Sequence, residues 1–136
     1  MYEFIKGVPK ISIQLEPGIY IFQCSSAAGK TYLAKQLKLL RQAGEKVDSF
    51  TWYDTKRGGL AQTLTMSDFP MEDLKVLLLD RYDRYSGSFV DEIQKLSKTC
   101  IVLIDCKGSV KFSGAKTCSI RLSDARIEVH RNGACL

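Results

Sequence analysis

Residues 24–31 read Cys-Ser-Ser-Ala-Ala-Gly-Lys-Thr, and their types and spacing suit the holding of a phosphate chain. Small residues let the backbone turn tightly, so that its N–H groups and those of a following helix start converge on phosphate oxygens. A lysine then reaches the outer phosphates, and a Ser or Thr hydroxyl holds Mg²⁺. Cys24, Ser25, Ser26, Ala27, Ala28 and Gly29 are the expected cradle, and Thr31 is the expected Mg²⁺ ligand. Lys30 is the expected charge, its stem facing solvent until a ligand arrives. The pattern Gly-x-x-x-x-Gly-Lys-Ser/Thr is broken only at its first position, where Cys24 stands. A small side chain fits there as long as the backbone does not need positive φ. The competing reading is an ordinary turn in which Gly-Lys-Thr is accidental.

Phosphate binding needs a strand before the loop and a helix after it, and the chain offers both. Residues 18–23, Gly-Ile-Tyr-Ile-Phe-Gln, are an apolar strand candidate. From Thr31 to about Ala43, Leu33, Leu37 and Leu40 with Ala34 and Gln36 give the spacing of a helix that packs one face on a sheet, and Gly44 is a natural C-terminal cap. Upstream, Ile11-Ser-Ile-Gln-Leu15 alternates as a half-buried strand leading through Glu16-Pro17-Gly18 into the loop strand. Residues 46–54 are β-branched and aromatic and form the next strand, ending on Asp54. Residues 55–70 read as a loop with at most a short helix around 60–64.

Two near-continuous apolar runs follow, 74–80 and 100–105, as expected of central parallel strands covered on both faces. Between them Ser88 offers an N-cap for a helix to about Lys98, with Phe89, Ile93 and Leu96 inward. Residues 108–116 read as a basic connector, and 119–122 and 126–130 as two short strands of a C-terminal hairpin. The alternation predicts an α/β fold over residues 1–136 as a single domain: a three-layer, mainly parallel sheet flanked by helices. Ligands of such sheets sit at the carboxyl ends of the strands, the edge to which Cys24 to Thr31, Asp54, Asp80 and Asp105 belong.

Composition sets the outer bounds. The 136 residues are 45% hydrophobic and 26% charged, ordinary for one globular domain with a real core. No stretch is long enough to span a membrane and residues 1–10 lack a signal-peptide core, so the expectation is an intracellular, cytoplasmic protein. Five cysteines without C-x-x-C spacing indicate neither a disulfide framework nor a zinc site. Cys24, at a helix start, reads either as a reactive thiol or as loop packing. The net charge of +5 is a C-terminal feature: residues 107–136 hold six cations against Asp124 and Glu128. That excess suits either an acidic or nucleic-acid partner or a solvated face.

Other side chains admit two readings each. Asp80 closes an apolar strand downstream of the loop, where a Mg²⁺-linked aspartate is needed; the alternative is a strand cap. The next residue is Arg81, so an acid to polarise water is missing from that place. Asp105 suits orienting water or phosphate, or a structural strand end. Arg81, Tyr82, Arg84 and Tyr85 suit phosphates and base stacking, or local pairing with Asp83. His130 has no ligand-spaced neighbours and reads as structural, and Trp52 and Tyr53 as packing.

The chain resembles the P-loop NTPase superfamily with a degenerate Walker A motif, and within it the RecA-like recombinase and replicative-helicase ATPases. The likeness rests on residues 24–31, on Leu15-Glu-Pro-Gly-Ile-Tyr-Ile-Phe before them, on Gly44-Glu-Lys-Val, and on Ile127-Glu-Val-His-Arg-Asn-Gly133. It implies a minimal P-loop fold, ATP and Mg²⁺ as ligands, Lys30 among the catalytic groups, and Asp54 as catalytic acid. It also implies that Arg131 reaches the nucleotide of a neighbouring subunit. Asp54 is shorter than the usual Glu, and the chain is shorter than a full motor. The function expected is an ATP-binding and ATP-hydrolysing domain that couples nucleotide state to a protein partner, a homo-oligomer or nucleic acid. The alternatives are a non-hydrolysing pseudo-ATPase interaction module and a small-molecule kinase, whose lid only Lys56-Arg57-Gly58-Gly59 would provide.

Overall fold

The computed structural model describes residues 2–4, 10–22, 29–50, 74–80, 82, 90–106, 112–123 and 126–131. They form eight strands and two helices. In chain order these are β1 (Tyr2–Phe4), β2 (Lys10–Gln14), β3 (Gly18–Phe22), α1 (Lys30–Gln42), β4 (Val47–Phe50), β5 (Val76–Leu79), α2 (Val90–Leu96), β6 (Ile101–Ile104), β7 (Lys116–Ser123) and β8 (Arg126–Arg131).

All eight strands join one sheet in the order β1-β2-β8-β7-β3-β6-β5-β4. The pairings of β3 with β6 and β7, of β5 with β4 and β6, and of β2 with β8 are parallel; only β1–β2 and β7–β8 are antiparallel. The fold is therefore α/β with a mostly parallel sheet. Two apolar clusters explain why the central strands read as continuous apolar runs. Val76, Leu78, Ile101 and Leu103 pack on one side with Leu33, Ala34 and Leu37 of α1; Leu77, Leu79, Val102 and Ile104 pack on the other with Ile93 and Leu96 of α2. A strand clothed on both faces cannot alternate apolar with polar residues.

Helix α1 ends as Gly44 leads one to expect. Gly44, at φ +94°, donates its N–H to the Arg41 carbonyl, and Glu45 donates to the Leu40 carbonyl, the paired bonds of a left-handed helix terminus. That turn feeds β4 directly, which docks α1 along the sheet. The sheet departs from the sequence pattern or adds to it at three places. Strand β2 leads into β3 through residues 15–17 but is not its neighbour, because β8 and β7 lie between them. Strand β7 begins at Lys116, inside the expected connector, because its polar first residues pair with Tyr20 and Ile21. Finally, β1 adds an edge that no local pattern announced. The expected features in residues 51–73, Ser88 and Phe89 lie outside the described residues.

Candidate functional site

Strands β4, β5 and β6 end level with one another, and the ladder runs one residue past β5 and β6. The Asp80 N–H donates to the Phe50 carbonyl (2.8 Å) and the Asp105 N–H to the Leu79 carbonyl (2.9 Å). Because Ile21 is level with Ile104 and Leu79 with Ile104, Phe22, Asp105 and Asp80 stand side by side at the carboxyl edge. Adjacent parallel strands are roughly 4.8 Å apart, so the two carboxyl-bearing residues are immediate neighbours. Both are buried.

Lys30 opens α1 directly after Gly29, which is the N-cap and has no side-chain cap. Its Nζ reaches over the end of β3 to Asp105 Oδ1 at 2.8 Å, with the two side chains only 7% and 10% exposed. This corrects the expectation of a solvent-facing stem. An ammonium group cannot be buried without an opposite charge, and the β6 terminus supplies one. The two sequence readings of Asp105 thereby converge on a pairing role, with the acid held on the backbone ladder through its own N–H and through its carbonyl, which accepts from Tyr82 N–H at 2.7 Å.

What Gly29 supplies is space, not backbone freedom. Its φ of −94° is open to any residue, but a Cβ there would stand 3.1 Å from Ile120 Cδ1 and 3.2 Å from Ile120 Cγ2. The part of β7 that runs past the end of β3 thus bears directly on the turn that delivers Lys30.

The remaining expected site residues divide clearly. Thr31, one residue into α1, is exposed, and Asp80 is buried at the end of β5. Among the described residues no three His, Cys, Asp or Glu side chains converge to hold a metal unaided. Mg²⁺ beside a phosphate asks for only one or two protein ligands, completing its octahedron with water and phosphate oxygens, and a Thr hydroxyl with an Asp suits that by type. Cys24, Ser25, Ser26, Ala27, Ala28 and Asp54 lie outside the described residues, as do Trp52, Tyr53, Arg81, Arg84 and Tyr85. Arg131 is exposed at the end of β8, level with Cys118 of β7 and, through it, with Phe22. Its charge is felt at the Tyr20 phenol, whose hydroxyl donates to the Glu16 carbonyl (2.9 Å). Burial raises the pKa of that phenol, while this bond and the Arg131 charge oppose the rise. Arg131 thus stands at the same level of the sheet as the end of β3, two strands away.

Tyr82 is half-buried and packs edge-on to Phe112 with ring centres 5.8 Å apart. His130 pairs with Glu128 at 3.0 Å, in keeping with a structural role. That partner, together with Arg126, holds the Glu128 carboxyl below its usual range.

Comparison of the chain with protein-family models, with curated proteins and with solved structures finds no match. The reading of the site therefore rests on its own geometry.

One acid escaped the sequence reading altogether. Asp48, second residue of β4, is buried and accepts from Lys38 Nζ at 2.6 Å, with Arg41 Nη1 at 3.4 Å and the Ser49 N–H at 2.8 Å. Ser49 Oγ in turn donates to the Ala34 carbonyl at 2.6 Å. The signal was present as Lys38 and Arg41, three apart on the flank of α1, facing an acid inside an otherwise buried strand.

Proposed function

We propose that the chain is an ATP-binding domain of the P-loop type, its sheet read as a minimal P-loop NTPase fold closed by β7 and β8 as a C-terminal hairpin. The observation that carries this reading is the placement of Lys30. It is the first residue of a helix that follows directly on the turn after β3, and it is buried between the ends of β3 and β6 with Asp80 one strand farther. A buried cation at a helix start, beside first-turn N–H groups that have no partner within the helix, is a place where phosphate oxygens are stabilised. Strand-borne groups hold such a site more rigidly than loops do.

In this reading Lys30 meets the outer phosphates, the N–H groups of residues 24–31 cradle the chain, and Thr31 with Asp80 would hold Mg²⁺. That ion supplies charge neutralisation on the phosphates when bound. Asp54 takes a proton from water, and Arg131 acts on the nucleotide of a second copy or partner. The geometry supports binding more strongly than turnover, which makes a pseudo-ATPase module the second reading. Calorimetric titration with Mg-ATP followed by phosphate-release kinetics separates them. Wild-type protein is expected to bind and turn over, with Asp54→Asn binding normally but slowed on the order of 10²–10⁴-fold. Binding without phosphate release, alone or with a partner, selects the second reading, and absence of binding sinks both.

A further inference from the structure

The charge that the ligand reading needs is already engaged: Lys30 meets Asp105 Oδ1 at 2.8 Å, and both side chains are nine-tenths buried or more. We propose that Asp105 is an internal counter-ion, holding on Lys30 the place that a ligand phosphate takes, so that phosphate binding is an exchange of one anion for another. The inference rests on the phosphate-binding reading above and adds to it a rule for which anions enter.

Three observations carry the step. Asp105 does not move freely, because its N–H is bonded to the Leu79 carbonyl and its carbonyl to the Tyr82 N–H, so its carboxylate stays at the β6 end whichever partner Lys30 takes. Lys30 is attached at the very start of α1, where its long stem pivots without unwinding the helix. Asp80 stands buried at the adjacent strand end, so a carboxylate released by Lys30 remains on the ligand's side of the sheet with a second acid one strand away.

A compact anion gains little from such an exchange, since it replaces one carboxylate on the ammonium, is repelled by that carboxylate afterwards and reaches few further partners. A polyphosphate gains, because it brings further charges to the N–H groups of the helix start in the same event. The site therefore selects for chains of phosphate over orthophosphate or sulfate. Removing the charge of Asp105 weakens that selection and lowers the barrier to every anion.

The test uses the full chain, inorganic tripolyphosphate and orthophosphate as probes, and calorimetry at low ionic strength. Asp105→Asn keeps an oxygen that accepts from Lys30 but carries no charge. It is expected to bind tripolyphosphate about tenfold more tightly than wild type and to narrow the preference for tripolyphosphate over orthophosphate. Asp105→Ser, smaller and also neutral, gives the same readout if the Asn variant does not fold. A folded neutral variant that binds tripolyphosphate no better than wild type overturns the exchange while leaving the phosphate site standing. Wild-type protein that binds neither tripolyphosphate nor Mg-ATP removes the site and the exchange together.

Discussion

Helix α1 carries an ion pair to a buried acid near each end, and the two are built differently. Near its C-terminus, Lys38 and Arg41 keep 36% and 41% of their side chains in water while Asp48, at 3%, stays inside. Near its N-terminus, both Lys30 and Asp105 are inside. The first arrangement desolvates one charge and leaves its cations largely hydrated. The second desolvates two, which stability alone does not favour, since an apolar pair of the same size is often at least as stable. A clamp that fastens a helix to a strand explains the Asp48 cluster. The cost borne at Lys30 is what the proposed phosphate site would account for.

The largest effect that bears on this contrast is expected from Lys30→Ala. It should leave Asp105 buried without this cation, lowering stability by about 3–5 kcal/mol in a denaturant melt. It should also weaken ATP binding by about 100-fold, as loss of a charge-assisted contact does. The double variant Lys30→Met/Asp105→Leu separates the two losses, because it should recover stability without recovering binding. Recovery of both would show that the N-terminal pair is only another clamp.

Asp48→Asn comes next. Its amide oxygen keeps the Ser49 N–H, and Lys38 and Arg41 turn to water, so the expected loss is about 1–2 kcal/mol with ATP affinity unchanged. A change in ATP affinity would break the division between the two ends.

Gly29→Ala should cost less, about 1 kcal/mol, because the intruding Cβ meets the flexible end of a side chain and not backbone. Ile120→Val removes the nearest atom, Cδ1, but leaves Cγ2 at 3.2 Å, so measured against Ile120→Val alone the double variant should lose less melting temperature than Gly29→Ala does; an undiminished loss would place the clash elsewhere.

The smallest effect is a pH window. Burial pushes the Cys100 thiol from 9.0 up to about 12. The folded state thus keeps the proton that the unfolded chain gives up, so this contribution is complete below pH 9 and fades as pH rises from there toward 12. Both ion pairs should be compared below pH 9. In Cys100→Ala the alkaline decline of stability should be shallower, measured as melting temperature against pH.

Much of the frame was legible because it is local. Leu33, Ala34 and Leu37 mark the inner face of α1, Gly44 its end, and the apolar runs at 76–79 and 101–104 the doubly covered strands. Gly-Lys-Thr placed the candidate site at the head of α1. The burial of Lys30 was not legible, because its partner stands 75 residues away and periodicity reports a face, not a neighbour. Nor was the course of β7, since Lys116 and Thr117 are polar at the start of a strand whose partners are set by topology. Asp48 was hidden for a third reason: one acid in a β-rich stretch looks like a loop residue until the helix flank opposite it is known.

The strand order has a consequence for how the chain is made. Lys10 stands opposite Arg126 and Gln14 opposite His130, so β2 finds its inner neighbour only in a segment synthesised more than a hundred residues later. Strands β3 to β6 and both helices emerge before that neighbour exists and hold their pairings among themselves. During synthesis β1 and β2 must wait, with the apolar Ile11 and Ile13 uncovered by β8, until β7 and β8 leave the ribosome. Closing so long a loop is slow, and an unpaired apolar strand is the place where a nascent chain is caught by a chaperone or by another copy of itself.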